Sequence, residues 1–293
     1  MIPGRPLLPL LLLAGTLSAA AAGGPVTVSG RISWAENFSR TSDAATAKDA
    51  TKWELSAGTA WARQLAPAWQ AAAEATATWE QVPDFPALDA LHLAGRATLR
   101  RKFGLGPYAP GLELHAAALQ SRFDESGRSG TQLEAGLRLT RRLSPAWRGT
   151  LGADRSQTYA RHNPYDVRRH RVFAEATWDV TARWRLTAGG ARQDGEVTAN
   201  AAGRVYASAL AGAFGPAIQA YYHAIPFQTT DSFGPGWVAY RIDARVDSYW
   251  LGLAPALGAH TALPLRYERV EVRNRVGVRY VSEFWSLGLV HRF

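Results

Sequence analysis

Long stretches of polar–apolar alternation constrain the fold of this chain more than any other feature of its sequence. Over residues 69–80, Trp and Ala occupy the odd positions, whereas Gln, Glu and Thr fall mostly on the even ones. A period of two places these sets on opposite faces of a β-strand. Similar stretches begin near Trp53, Leu91, Leu133, Val172 and Val238. The chain is therefore predicted to be all-β, with strands that have one apolar and one polar face.

The spacing of tryptophans within these stretches predicts a membrane setting. Trp69 and Trp79 share a face and lie ten residues apart, a path of about 33 Å, or roughly 23 Å in height at a tilt near 45°. Aromatic girdles of outer-membrane barrels are about 25 Å apart. The predicted girdle residues are Trp53, Trp61, Trp69, Trp79, Trp147, Trp178 and Trp184.

A sheet with free edges would leave backbone groups without hydrogen-bond partners in hydrocarbon, so it must close on itself. Short breaks near residues 63–69, 104–110, 141–147 and 179–184 alternate with longer polar loops, as in membrane barrels. Residues 205–211 and 217–224 are interpreted as short strands, and residues 237–254 as a long one. We predict a transmembrane antiparallel up-and-down β-barrel of about 14 strands, with 12 or 16 as alternatives.

The N-terminus has the three parts of a secretory signal. Arg5 precedes an apolar stretch over residues 7–17, and small residues follow up to Ala22. The apolar stretch is shorter than the roughly 20 residues that a transmembrane helix needs. We expect a cleaved signal peptide over residues 1–22 and a single barrel domain over residues 23–293.

The last residues of the chain form an alternating pattern, in which Trp285, Leu287 and Leu289 alternate with other residues before a C-terminal Phe293. This pattern resembles the terminal strand of bacterial outer-membrane β-barrel proteins, the porin-like superfamily. The resemblance implies location in the outer membrane and recognition of Phe293 by the barrel-assembly machinery. It also implies contact with outer-membrane lipid and lipopolysaccharide.

Charged residues on the polar parity of the strands are the candidates for lining a lumen. They are Glu74, Arg96, Arg100, Glu134, Arg138, Asp154, Glu175, Asp179, Arg185, Arg241, Asp243, Arg245 and Asp247. The net charge is +9, and all but three of the 33 basic residues are Arg. Rows of Arg along a pore attract anions.

Two functions remain open for such a barrel. The first is a porin-like passive channel for small hydrophilic solutes, with a preference for anions. The alternative is a non-conducting structural or interaction barrel, filled by cross-strand ion pairs, whose loops bind a surface partner or lipopolysaccharide phosphates through Arg. An outer-membrane hydrolase ranks third, since a few loop residues offer acid–base groups without a recognisable catalytic arrangement.

Several chemistries are not expected. The seven histidines show no sequence spacing typical of a metal site, so no metal and no cofactor is predicted. No phosphate-binding glycine motif is present. Nucleic acid is not an expected partner, because export and lipid-facing aromatics argue against base stacking. We predict a protein that is not an enzyme, and the sequence leaves its oligomeric state open.

Overall fold

The computed structural model describes residues 25–293, so the predicted signal peptide over residues 1–22 lies outside the described residues. Among the described residues, no helix is both long and apolar enough to cross a membrane. The elements are β1 (Val26–Glu36), β2 (Ala50–Ala66), β3 (Trp69–Gln81), β4 (Ala90–Lys102), β5 (Gly111–Phe123), β6 (Gly130–Arg142), β7 (Trp147–Ala160), β8 (Arg168–Asp179), β9 (Trp184–Ala202), α1 (Gly203–Leu210), α2 (Pro216–Ala224), β10 (Phe227–Thr230), β11 (Trp237–Pro255), β12 (Thr261–Ala262), β13 (Leu265–Asn274) and β14 (Arg279–Arg292).

The strands form one closed antiparallel barrel. Each strand from β1 to β8 pairs with the next, the sheet continues from β9 through β11, β13 and β14, and β14 pairs back onto β1. This ring contains twelve strands, and β10 and β12 pair onto β11 and β14 outside it, giving 14 strands in total. The prediction of a closed all-β barrel is confirmed. Closure leaves no long edge of unpaired backbone groups in the ring.

The register around the ring fixes the tilt of the strands. Among the described strand pairs, the register shifts in the pairing of β2 with β3, between Gln64 and Ala66. The register of the other pairs continues without a shift. Following the pairing once around the barrel returns to β1 about 16 residues further along, which for twelve strands corresponds to a tilt of roughly 40–45°. The strands are therefore long enough to cross a bilayer while tilted.

The ring has one end with short connections and one with long connections. Short connections join β2 to β3, β6 to β7 and β8 to β9. The start of β1 and the C-terminal Phe293 lie at this same end of the ring, where the Phe293 N–H donates to the Val26 carbonyl. We call this the turn end. The opposite loop end carries the longer connections at 37–49, 82–89, 124–129, 161–167 and 203–236, together with one short connection at 275–278.

The segments over residues 205–211 and 217–224 are helical, so their interpretation as short strands is wrong. Pro216 occupies the first turn of α2, a position that tolerates proline. In α1, Tyr206 and Ala209 are buried and lie three residues apart, which places them on one helix face. These side chains pack against Tyr240 and Ile242 of β11. Packing on the sheet, which the sequence of this connection does not reveal, favours helix over strand here.

The connections at the loop end meet one another in what we call the loop layer, formed by residues 37–49, 82–89, 124–129, 161–167 and 203–236. The Phe233 ring contacts Phe85 at 5.2 Å and Phe38 at 6.3 Å between centroids, joining three connections. Ser232 and Thr230 donate to Glu125, which belongs to a fourth. Since one segment reaches connections from several sides of the ring, it lies across the mouth of the barrel.

Candidate functional site

A cavity of about 520 Å³ lies inside the barrel and is strongly basic. A neighbouring cavity of about 360 Å³ shares Arg100, Glu113 and Arg138 with it. The charged residues that line the larger cavity are Arg100, Arg138, Arg148, Arg171, Arg266, Glu113 and Glu175. Five guanidinium groups and two carboxylates thus line the cavity. Arg266 also pairs with Glu268 at 2.9 Å and Arg171 lies 3.7 Å from Asp154, so the surplus positive charge comes from Arg100, Arg138 and Arg148. This surplus makes the cavity the candidate functional site.

Cross-strand pairing brings the basic groups together. Arg100 of β4 lies opposite Glu113 of β5, which lies opposite Arg138 of β6. Directly opposed residues of an antiparallel sheet point to the same face. The three side chains therefore form a row on the inner wall, although 38 residues of chain separate the first from the last.

Aromatic rings hold part of this charge in place. The Arg171 guanidinium lies 4.9 Å from the ring centre of Phe173, and that of Arg266 lies 5.0 Å from Trp250. Trp250 Nε1 donates to Glu175 at 3.0 Å. Cation–π contact of this kind stabilises a cation by about 0.5–1 kcal/mol where water is present. It orients the guanidinium groups without neutralising them.

Two glycines make room for these rings. A Cβ atom at Gly152 would lie 2.3 Å from the Phe173 ring, and one at Gly189 would lie 2.4 Å from the Trp250 ring. Each glycine is the direct cross-strand partner of the aromatic residue. The rings therefore lie close against the wall and leave space in the lumen.

Nine of the predicted lumen residues lie on the inner face of the ring. Arg100, Arg138 and Glu175 line the larger cavity, and Glu74 and Arg96 line the smaller one. Arg185 and Asp179 pair at 2.7 Å near the turn end. The other two are Glu134 and Asp154, of which Asp154 is almost fully buried.

The remaining four predicted lumen residues, Arg241, Asp243, Arg245 and Asp247, lie on the outer face, which corrects their assignment. The even positions of β11 point inward, as Trp250 shows, and the odd positions point outward with Tyr249 and Leu251. On this outer face, Arg245 pairs with Asp194 at 3.0 Å and Asp247 with Arg192 at 2.8 Å.

The length of β11 explains the error. The strand has 19 residues, about twice the number needed to cross the membrane. Its half toward the loop end extends beyond the apolar band, where charge on the outer face carries no hydrocarbon penalty. The apolar inward residues of this half pack against α1 and α2. The pattern of polar and apolar residues along this half is therefore determined by packing against the loop layer and not by contact with lipid.

The predicted girdle tryptophans all point outward. Trp53, Trp61 and Trp184 are about half exposed, and Trp147 stacks on Trp178 with ring centroids 5.3 Å apart. The terminal residues Trp285, Leu287, Leu289 and Phe293 share this outer face. Trp34 lies opposite Trp285 and adds an outward tryptophan outside the predicted set.

Some residues that line the basic cavity are not among the predicted lumen residues. Arg171 alternates in phase with Glu175 along β8, a signal that identifies it as inward. The sequence pattern does not identify Arg266 and Trp250, because it predicts the opposite inward parity for β11 and because the neighbouring β13 is short. Arg148 is the second residue of β7 and follows Trp147. The alternating pattern of this strand becomes recognisable only after Arg148, so the pattern does not assign Arg148 to a face.

A second cluster on the inner wall contains possible metal ligands. His115, Glu134 and Asp154 each place a ligand atom within 4.8 Å of the others. They come from β5, β6 and β7. Spacing along the chain does not show this arrangement, because it arises from the pairing of three strands.

The loop layer is held by a partly buried ion pair. Glu125 pairs with Arg128 at 2.7 Å and accepts a hydrogen bond from Thr230 at 2.7 Å. Burial pushes the pKa of Glu125 upward, but Arg128 and the hydrogen bonds from Ser232 and Thr230 outweigh it and hold the pKa below its ordinary value. Glu125 is therefore ionised at neutral pH and anchors the connection that crosses the mouth.

Comparison with known proteins shows the fold. No family model and no curated protein matches the chain. An outer-membrane channel of Pseudomonas putida F1 has a TM-score of 0.60 at 11% identity, covering 94% of this chain and 97% of that chain. The KdgM porin in complex with disordered oligogalacturonate has a TM-score of 0.45 at 7% identity, covering 91% and 99%. Outer membrane phospholipase A of Escherichia coli has a TM-score of 0.44 at 11% identity, covering 92% and 98%. The similarity to the Pseudomonas putida channel, together with the closed ring of strands, shows that the chain has the fold of an outer-membrane β-barrel.

Proposed function

We propose that the protein is a passive outer-membrane channel for small hydrophilic solutes, with a preference for anions. The observation that carries this proposal is the basic cavity, in which five Arg side chains face two Glu side chains. A barrel of eight strands is filled by its own side chains, whereas barrels of 16–18 strands enclose an aqueous channel. Twelve strands lie between these cases, and the two inner cavities supply polar space for water and small ions.

Electrostatic magnitudes favour a weak preference over tight binding. Within the described residues, Arg100, Arg138 and Arg148 make no direct ion pair with a carboxylate. An anion about 5 Å from one such group in water gains about 0.8 kcal/mol, so three groups at that distance supply about 2.4 kcal/mol. That enriches anions roughly 60-fold before screening by salt. Conduction requires attraction that is strong enough for entry and weak enough for release.

The loop layer supports a second candidate function, a non-conducting barrel that binds a surface partner. The connection over residues 203–236 crosses the mouth and is fixed by Glu125 and by the ring contacts of Phe233. Under the channel proposal the same layer limits the size of the solutes that enter. Under the alternative, the layer blocks passage altogether.

Location and partners form part of the proposal. The outward Trp and Leu side chains suit lipid, and the outward ion pairs above them suit the phosphate zone of lipopolysaccharide. Arg192, Arg245 and Arg273, each more than half exposed at the side chain, are the groups proposed to meet those phosphates. Assembly through the C-terminal Phe293, after export through a cleaved signal peptide, completes the proposed route.

Solute flux into liposomes tests the channel directly. Liposomes that contain the refolded mature protein are diluted into isosmotic solutions of a small sugar acid or of a neutral sugar of similar size, and swelling is followed by light scattering. We expect swelling with both solutes and a faster rate with the anion. Protein-free liposomes set the background. A correctly folded barrel that gives no swelling with either solute would favour the non-conducting alternative.

A further inference from the structure

His115, Glu134 and Asp154 form a compact group on the inner wall of the barrel. His115 Nε2 lies 3.3 Å from Asp154 Oδ1 and 3.5 Å from Glu134 Oε1. The side chain of His115 is fully buried and that of Asp154 is 6% exposed, whereas that of Glu134 is 27% exposed to the lumen. The group is thus a pocket in the wall with one open side.

The buried polar atoms of this pocket lack hydrogen bonds. Within the described residues, the two ring nitrogens of His115 have no hydrogen-bond partner. The Oδ1 atom of Asp154 has none either. A buried polar group without a partner costs about 1–3 kcal/mol. His115 Nε2 and Asp154 Oδ1 face each other at 3.3 Å without a hydrogen bond, which indicates that another group satisfies both atoms.

A glycine between the two buried side chains creates the pocket. Gly136 lies directly opposite both His115 and Asp154 on the neighbouring strands. A Cβ atom at this position would lie 2.3 Å from Asp154 Oδ1 and 2.7 Å from the His115 ring. The imidazole and the carboxylate therefore meet over Gly136, where any other residue would separate them.

The geometry points to a binding site for a divalent transition-metal ion such as Zn²⁺, with His115 Nε2, Glu134 and Asp154 as ligands. Zinc bonds of about 2.0–2.2 Å to nitrogen and oxygen in a tetrahedron place neighbouring ligand atoms roughly 3.4 Å apart. The distances of 3.3 Å and 3.5 Å from His115 Nε2 to the two carboxylates agree with this value. The fourth position faces the lumen and is open to water or a passing anion.

The donor set selects the class of ion. One imidazole and two carboxylates suit zinc and its neighbours, whereas Ca²⁺ takes six to eight oxygen ligands and Mg²⁺ retains most of its water. The two carboxylates together carry a charge equal and opposite to that of a divalent ion. Arg171 lies 3.7 Å from Asp154 Oδ2, the oxygen that faces away from His115, and can orient the carboxylate from outside the ligand set.

Zinc binding by the full mature barrel in detergent tests this proposal independently of channel activity. Titration calorimetry with Zn²⁺ is expected to show one ion per barrel, and Ca²⁺ is expected to show no binding. X-ray absorption at the zinc edge is expected to show nitrogen and oxygen neighbours at about 2.0–2.2 Å and no sulfur. Since loss of an outer-shell partner alone weakens metal affinity 10–100-fold, H115A is expected to lower the affinity about 100-fold or more.

His92 supplies the matched control. It is also an inward histidine beside a carboxylate, 3.6 Å from Glu80, and its Nδ1 atom lies 2.9 Å from the Ser121 hydroxyl. H92A should bind zinc as the unchanged protein does. Should H115A fail to fold, as judged by heat-modifiable gel migration, E134Q and D154N provide the same test. Absence of zinc binding by the unchanged protein, or equal affinity in H115A, would overturn the proposal.

Discussion

Exchange of Arg100 and Arg138 for glutamate is expected to reverse the charge preference of the channel. The double variant R100E/R138E changes the charge of the inner wall by four units at the row where both cavities meet. The larger cavity then holds three Arg and four Glu side chains in place of five and two. In a planar bilayer with a KCl gradient, the reversal potential should move from the chloride side to the potassium side.

Arg245 and Arg273 provide a matched control for this experiment. They are direct cross-strand neighbours on the outer face, and their side chains are more than half exposed. R245E/R273E changes the net charge by the same amount but leaves the lumen untouched. Exposed ion pairs contribute only about 0–1 kcal/mol, so the barrel should still fold. An equal shift in reversal potential from both double variants would show that the inner Arg row does not set selectivity.

Removal of the connection across the mouth is expected to raise conductance about threefold or more, because this connection lies in the path of ions that enter the barrel. The ladder between β9 and β11 continues to the pair Ala202 and Trp237. An Asn-Gly turn can therefore replace residues 203–236, since this dipeptide closes a two-residue hairpin. Single-channel conductance in a planar bilayer is the measurement.

Two point variants separate loss of the loop layer from general damage. F233A removes the ring that joins Phe38, Phe85 and Trp237, so a smaller rise in conductance is expected. F103A removes an outward aromatic ring near the turn end and should leave conductance unchanged. If the shortened, folded barrel conducts no better than the full chain, the loop layer does not restrict the path.

The barrel was predictable from the sequence because hydrocarbon penalises polar side chains at every outward position. In β3, Ala71, Ala73, Ala75 and Ala77 face outward between Trp69 and Trp79, and this strand follows the predicted parity throughout. The same rule correctly separates Arg96 and Arg100 from Leu93 and Leu99 in β4. One physical constraint, repeated on each strand, thus fixes the fold and most of the inner wall.

Parts of the chain beyond the membrane were not predictable in this way. In the loop-end half of β11, packing of Tyr240 and Ile242 against α1 and α2 replaces the lipid constraint, and the polarity pattern inverts. The group of His115, Glu134 and Asp154 was hidden for a different reason. Its members depend on the register of three strands, and a one-residue slip would move each side chain to the other face.

The central claim is that an open, basic lumen passes anions through the barrel. The most direct measurement is the current through the unmodified mature protein in a planar bilayer with unequal KCl on the two sides. We expect discrete conductance steps and a reversal potential displaced toward the chloride equilibrium potential. Folded protein that inserts and passes no current, or current that reverses on the potassium side, would contradict it.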